Sequence, residues 1–394
     1  MIPYLHHETS TDYTYLGLGS LKEAISCFVT QELNGLYYLN MEYPVSGRLA
    51  HELRPERIIV ADAGEEFAFD DSRFTKQRFI ITRVEVKDAK IMSIYAEHAI
   101  QFKIKNMPLK PSVSFSGNAQ SALTSWANGT VKDLAIDVQV DKPSDFTATN
   151  SGIWKIEDVP NALSALGGTE YSILEMYGGE FLFETPFEER ARIRLLKRRG
   201  IEREQYIEHG YNLVSSHETM DIENTVTGIV PYLTYRKENV AEGEDPTVRV
   251  TLAYPYVMDI PQQGFHHHKI ISIDLSGNDS SGKPLKTRAQ LQAKATRLVN
   301  SFRGLYLINK NAKVGYVDLD DSVGIDLADS PVRSFALGDT VHIQTKGLYE
   351  HPTRDRITKV VYNTLMDRNE SIEIGEPTVT MSESIIKLAE RWGN

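Results

Sequence analysis

The feature that most constrains this fold is a succession of short apolar–polar segments separated by turn residues. Residues 27–29 and 36–41 are two such segments, and Asn34-Gly35 between them is typical of a two-residue hairpin turn. Residues 79–86 and 90–96 form a second pair, rich in β-branched and aromatic side chains. The pattern predicts antiparallel hairpins in the first hundred residues, arranged as a small barrel or sandwich.

The middle of the chain combines helices and strands. Apolar residues recur at helical spacing near 119–126 and 173–177, and Gly178-Gly179 ends the second of these helices. Residues 180–185 and 190–197 are then predicted to be a strand pair. This segment is therefore predicted to be an α+β domain.

Strand-like alternation returns beyond residue 226, interrupted by a helical stripe at 288–302. The predicted fold class is mainly β with α+β insertions, with two similar antiparallel β-barrel domains plus an α+β domain. The predicted domains are an N-terminal β-barrel at 1–106, an α+β domain at 107–212 completed by 285–320, a second β-barrel at 213–284 and 321–380, and a C-terminal amphipathic helix at 381–394. That last helix would carry Ile385, Leu388 and Trp392 on one face, and it is too short to persist alone in water.

Charge and cysteine content exclude several classes of protein. The chain has 394 residues, with 43 Lys and Arg against 54 Asp and Glu, so its net charge of −11 does not suit general binding to nucleic-acid phosphates. It contains no apolar run of about 18 residues that could cross a bilayer, and no export leader. The single cysteine, Cys27, excludes an intrachain disulfide and a cysteine-based zinc site.

Common catalytic and phosphate-binding motifs are missing from the sequence. Cys27 lies in a predicted strand and is expected to be a small core residue rather than a nucleophile. Asp318, Asp320 and Ser322 resemble an acidic calcium loop, but the glycine falls at the seventh position and Asp329 at the twelfth, so a solvated turn is predicted.

His266-His267-His268 is a candidate metal cluster. Consecutive strand residues point to opposite faces, so only His266 and His268 could converge within one chain, and a threefold axis would have to supply further ligands. The alternative is a solvated loop, since the run follows Pro261 and Gly264.

A basic run is the one candidate nucleic-acid surface. It contains Arg190, Arg192, Arg194, Lys197, Arg198 and Arg199. Acidic residues flank it at Glu184, Glu188, Glu189, Glu202 and Glu204, so salt-bridged neighbours are predicted instead. No catalytic, cofactor-binding or metal-binding residue is assigned.

Glycines and polar residues at particular spacings carry a family resemblance. The segments, in order, are ELNGLY at 32–37 with EYPV at 42–45, YAEH at 95–98, GTEYSIL at 168–174 with YGGE at 177–180, and RG at 199–200 with GYNL at 210–213. Together they resemble the tail-associated hub proteins of long-tailed phages, also known as the prophage tail-endopeptidase family, over residues 20–380. Two departures occur: GYNL lacks the family's lysine, and Ala99-Ile100-Gln101-Phe102 replaces an expected tyrosine.

The resemblance implies a structural baseplate hub, a homotrimeric ring that closes the distal tail. It implies a location at the virion tail tip after synthesis in the bacterial host cytoplasm. The implied partners are the distal tail protein, the tape-measure protein, and receptor-binding or fibre proteins, with DNA passing through the ring without specific binding. Longer relatives carry a C-terminal hydrolase, and this chain ends at Asn394, so no enzymatic activity and no cofactor are expected.

Two other functions stay open from the sequence. One is a cell-wall peptidase or peptidoglycan hydrolase of the tail tip. The other is a hub or spike component of a contractile injection or secretion machine.

A faint internal repeat fits the predicted ring. In each predicted barrel a glycine-acidic turn, Gly64-Glu65 or Gly338-Asp339, precedes a basic-apolar strand at 78–84 or 356–361. A further turn and an apolar strand follow in both. Three chains with two such modules each would present six similar units around a channel.

Overall fold

The computed structural model describes residues 2–64, 76–169, 171–186, 190–208, 213–221, 226–237, 246–260, 266–277, 283–301, 309–316, 335–344 and 354–375. The chain divides into two compact units. The larger comprises Met1–Asn150, Trp154–Glu218 and Asn311–Asn394, and the smaller comprises Ser151–Ile153 and Thr219–Lys310. Each is described in turn.

Strands dominate the described part of the chain. They are β1 Tyr4–His6, β2 Gly19–Ser20, β3 Ser26–Glu32, β4 Tyr37–Pro44, β5 Ile58–Asp62, β6 Lys76–Lys87, β7 Ile91–His98, β8 Ser112–Gly117, β9 Ile136–Val140, β10 Asn150–Lys155, β11 Glu180–Glu184, β12 Ala191–Leu196, β13 Glu202–Glu208, β14 Leu213–Asp221, β15 Gly228–Arg236, β16 Thr247–Thr251, β17 Met258–Asp259, β18 Ile270–Asp274, β19 Asn309–Tyr316, β20 Thr340–Gln344, β21 Arg354–Asn363 and β22 Arg368–Gly375. The helices are α1 Ala99–Lys105, α2 Ala119–Gly129, α3 Ala162–Leu166, α4 Ile173–Tyr177 and α5 Arg288–Ser301, with 3₁₀ turns at Ala50–Glu52 and Pro143–Asp145.

The larger unit is built on one long sheet. Its strand order is β14-β19-β22-β21-β3-β4-β7-β6-β5-β1-β2, with β20 joining β21 and β13 pairing with β20. The predicted hairpins β3–β4 and β6–β7 are confirmed, and β21–β22 is a third. The mainly β class is confirmed, and among the described strands the sheet path does not return on itself to close a barrel.

The predicted α+β segment forms a lobe beside this sheet. The strand pair β11–β12 is confirmed, and β9 extends it in parallel to β12. Helix α2 begins as predicted, because the Asn118 side chain accepts a hydrogen bond from Ser121 N at 3.0 Å. Trp126 and Phe181 belong to a core that is continuous with the sheet residue Phe79. The lobe and the sheet therefore share one apolar interior.

Domain boundaries after residue 212 differ from the prediction. Strands β15–β18 form a separate four-stranded sheet in the smaller unit, where Leu291 and Ala295 of α5 pack with Ile229 and Leu233. Helix α5 therefore does not complete the lobe, and β19 pairs with β22 in the main sheet. An apolar helical stripe shows that a face is buried, but it does not show against which sheet, and here the neighbouring strands in sequence cover it.

Helix α1 was not predicted, because residues 99–105 continue a run that is rich in strand formers. Ile100 and Ile104 are four residues apart and fully buried, so they form one helical face. The C-terminal segment 381–394 lies outside the described residues. In the described part of the chain, no helix combines the length and apolar character needed to cross a bilayer.

Candidate functional site

Six residues of the family resemblance lie at one end of the main sheet, where the lobe meets it: Asn34, Gly35, His98, Glu180, Arg199 and Gly200. We call this region the junction; it comprises Asn34, Gly35, His98, Gln101, Glu180, Arg199, Gly200, Gly338, Asp339 and Arg356. Strand register places them together, because β3 ends beside the start of β4, the end of β7 and the early part of β21.

Asn34 ties the first hairpin to the lobe. Its backbone is left-handed, with φ of 50°, as the predicted turn requires. Its side-chain nitrogen donates to the Gly179 carbonyl at 3.1 Å, and its side-chain oxygen accepts from Phe181 N at 2.9 Å. The same side chain therefore shapes a turn and holds a lobe strand 145 residues away.

Gln101 closes the other side of this turn. Its side-chain nitrogen donates to the Gly35 carbonyl at 2.8 Å, and its oxygen accepts from Tyr37 N at 2.9 Å. Gln101 belongs to the segment that departs from the family pattern. In this chain the departure supplies an amide that satisfies two backbone groups of the hairpin.

Glu180 is the charged centre of the junction. Arg356 donates to it through both guanidinium ends, at 2.5 and 2.7 Å, and Arg199 N donates to it at 2.6 Å. Arg356 also donates to the carbonyls of Gly338, at 2.9 Å, and Arg199, at 2.8 Å. A bidentate arginine with further carbonyl acceptors fixes strand β11 against β21 with defined geometry.

Two glycines let the chain segments at this point approach closely. Gly200 and Gly338 both have positive φ, 72° and 90°. A Cβ on Gly200 would lie 2.1 Å from the Gly338 carbonyl carbon. Asp339 completes the contact by accepting from Ile201 N at 2.8 Å and Ala336 N at 3.0 Å. The glycine-acidic turn of the predicted repeat thus meets the Arg199-Gly200 motif.

His98 lies in the apolar part of the junction. Its ring stacks on Tyr37, with centroids 4.3 Å apart and planes 4° apart. Its Nε2 donates to the Gln77 side-chain oxygen at 3.2 Å, and that oxygen also accepts from Thr185 N at 2.9 Å. Complete burial lowers the pKa of His98 to about 3, with Arg78 adding a smaller effect in the same direction. The imidazole is neutral at physiological pH and links β6, β7 and the lobe.

The charged centre gives a direct prediction about stability. Glu180→Gln removes a buried carboxylate and leaves Arg356 without its counter-ion, so we expect a loss of about 3 kcal/mol in unfolding free energy. The control is Glu202→Gln, which breaks the exposed pair between Glu202 and Arg354 and should cost less than about 1 kcal/mol. Urea unfolding of both variants measures the difference. Equal losses would contradict a special role for Glu180.

The residues considered for chemistry do not converge on the junction. Cys27 is fully buried in β3, and burial raises its pKa to about 12, so the reactive thiolate is suppressed. His266, His267 and His268 lie exposed in the segment before β18 rather than within a strand. Within the ranges described above, no three metal-ligating side chains are grouped around a common point. Asp318, Asp320, Ser322 and Asp329 lie outside the described residues.

The basic run is divided among separate contacts. Arg194 is buried and pairs with Asp141, while Arg190 lies 3.6 Å from both Asp133 and Asp137. Arg199 belongs to the junction, and Lys197 lies over the Phe146 ring at 5.5 Å. Arg190 and Arg194 are thus ion-paired, but mainly with aspartates of residues 133–141 rather than with the flanking glutamates of the prediction; of those, Glu184 lies 3.9 Å from Arg194.

Sequence reasoning missed several residues of this region. No local sequence pattern distinguishes Gln77 and Gln101 from glutamines that lie exposed on a protein surface. Both make hydrogen bonds with residues more than 60 positions away in the chain. Lys105 pairs with Glu97 at 2.6 Å across the end of β7, a contact that depends on the unpredicted helix α1. A prediction of a helix at 99–105 would have indicated that Lys105 and Glu97 lie close together.

Neither a protein-family profile nor a curated protein sequence matches the chain. Solved structures do match it over nearly its whole length. A prophage tail protein, gp18, from Listeria monocytogenes is 12% identical with a TM-score of 0.54, covering 100% of both chains. The 43 kDa tail protein of prophage MuSo2 from Shewanella oneidensis is 9% identical with a TM-score of 0.57, covering 96% of this chain and 100% of that one. A tail protein from Neisseria meningitidis is 11% identical with a TM-score of 0.49, covering 96% of this chain and 97% of that one.

The first two comparisons define the class of fold. At such low identity the likeness concerns the fold alone, and that fold is the one seen in prophage tail proteins. The resemblance to phage tail proteins that the sequence indicated is thereby confirmed at the level of the fold.

Proposed function

We propose that this chain is a structural hub protein of the distal tail of a long-tailed phage or prophage. The observation that carries the proposal is the similarity of nearly the entire chain to prophage tail proteins over their full lengths. The junction supports it, because Asn34 and Glu180 of the family resemblance make contacts that join lobe and sheet.

The proposed assembly is a homotrimeric ring at the tail tip. Its partners would be the distal tail protein, the tape-measure protein, and receptor-binding or fibre proteins. Two hairpins with similar sequence pattern, β6–β7 and β21–β22, lie in the same sheet of each chain. Three copies would therefore present six related hairpins around the axis, which suits a contact with a sixfold tail ring. The proposed role is structural and non-enzymatic.

Two measurements test the proposal. Light scattering should give a mass near three times 44.5 kDa for the purified chain or for its complex with a tail partner. Immunogold labelling of particles induced from the host lysogen should mark one end of the tail, and deleting the gene should leave tails incomplete. Labelling along the whole tail, or complete tails from the deletion strain, would contradict the proposal. Release of soluble muropeptides from purified cell wall would favour the hydrolase instead.

The net charge predicts the behaviour of the ring towards DNA. Three chains at −11 each repel a duplex weakly, and a conduit functions best when it does not retain its cargo. We expect a dissociation constant above about 1 µM for duplex DNA at physiological salt. Fluorescence anisotropy with a labelled duplex measures it, and submicromolar binding would overturn the prediction.

A further inference from the structure

A row of exposed apolar side chains lies at the end of the main sheet opposite the junction. We call it the rim; it consists of Ile25, Val45, Val86 and Met366, which are 53%, 38%, 58% and 61% exposed. Exposed apolar residues are common singly, but a contiguous group on a folded protein marks a contact surface.

Backbone hydrogen bonds show that the segments carrying the rim are neighbours. Three of them join neighbouring turns: Thr364 N to Cys27 O at 3.0 Å, Ile25 N to Glu42 O at 2.8 Å, and Val45 N to Lys90 O at 2.9 Å. The turns follow the strand order β21, β3, β4 and β7–β6, so they occupy adjacent positions about 4.8 Å apart. The four segments that carry these side chains therefore lie next to one another at this end of the sheet.

The charge around the rim indicates what kind of surface it meets. The segments that carry it, residues 22–25, 45–48, 85–90 and 366–370, contain equal numbers of basic and acidic side chains. The chain as a whole carries −11, so this is a locally neutral area on an acidic protein. A balanced, apolar surface suits a protein partner, whereas an anionic membrane would favour an excess of Lys and Arg.

The size of the rim indicates how the partner binds. Four half-exposed side chains amount to a few hundred Å², below the roughly 800 Å² per partner of a standard stable interface. One copy would bind weakly, and several copies presented together would bind by avidity. This fits a contact between two rings better than a contact between two single chains.

We propose that the rim is the docking surface for an adjoining ring-forming tail protein of different sequence. The partner would present an apolar surface with balanced charge. The inference rests on the proposed function, and it adds the part of the molecule that makes the contact. The opposite ends of the same strands hold the lobe through the junction, whereas the rim side chains are exposed in the part of the chain that the structure describes.

The test uses the full chain supplied in trans to a lysogen that lacks its own copy. Val86→Asp and the double variant Ile25→Asp, Val86→Asp place charge on the rim. Val214→Asp is the matched control, a valine on β14 of the same sheet that is 67% exposed and outside the rim. Purified tails are probed by immunoblot, and the isolated proteins are compared by light scattering and thermal unfolding.

We expect the rim variants to fold, to keep the wild-type mass, and to enter tails at least about tenfold less than wild type and Val214→Asp. Normal incorporation of the rim variants would overturn the inference while leaving the proposed function intact. Wild-type protein missing from tails would overturn the proposed function itself.

A changed mass in the rim variants alone would assign the rim to contacts between copies. Binding to phosphatidylglycerol vesicles that Val86→Asp abolishes would assign it to a membrane. Either of these two results contradicts the proposal.

Discussion

Gly200→Ala is expected to destabilise the larger unit by about 3–5 kcal/mol. The added Cβ would lie 2.1 Å from the Gly338 carbonyl carbon and 2.2 Å from Asp339 N, and backbone atoms cannot rotate away as a side chain can. The segments carrying Arg199 and Asp339 would have to separate, which would also disturb the hydrogen bonds from Arg199 N to Glu180 and from Ile201 N to Asp339.

Gly178→Ala is the matched control for this effect. Gly178 also has a positive φ, 70° against 72° for Gly200, but a Cβ there would meet nothing within 4 Å. Both variants therefore carry the cost of an alanine at positive φ, of the order of 1–3 kcal/mol, and only Gly200→Ala adds the backbone clash. Chemical denaturation of the two proteins measures the difference, and similar midpoints would show that the close approach at the junction is not tight.

The second large effect concerns acid stability through His98. Its pKa is about 3 in the folded protein, against about 6.5 in the unfolded chain, so folding is favoured fully above the unfolded value. As the pH falls below 6.5, the His98 side chain binds a proton in the unfolded state but not in the folded state. The free energy of unfolding therefore decreases by about 1.4 kcal/mol per pH unit. The loss reaches the order of 4 kcal/mol near pH 3.

His98→Phe should remove this contribution while keeping a ring against Tyr37. Urea unfolding at pH 7, 6, 5 and 4 is expected to give a shallower decline for the variant than for wild type. His51→Gln, at a largely exposed histidine, should follow the wild-type decline. His6 is also buried with a lowered pKa, so the variant keeps part of the acid sensitivity. Parallel curves for wild type and His98→Phe would contradict the assignment.

Local sequence patterns predicted the individual elements well. Asn34-Gly35 supplies the left-handed turn of a hairpin, and Gly178-Gly179 ends α4, because both depend on backbone preferences that a few residues determine. The apolar stripes of α2 and α5 follow from the same kind of short-range pattern. Helix α1 was missed because strand-forming residues fill a segment whose helical form is stabilised by burial of Ile100 and Ile104.

The assembly of these elements depends on contacts between residues far apart in the chain. The sequence by itself determined the hairpins, most helices, the mainly β class and the likeness to phage tail proteins, since each rests on local conformational preference or on short motifs. The tertiary structure decided the sheet order, the separate unit around α5, and the meeting of Asn34, Glu180 and Arg356 at the junction. It also decided that Gly200 faces Gly338. The physical reason is that periodicity shows which side chains become buried, whereas the partner they are buried against is selected by the packing of the whole molecule.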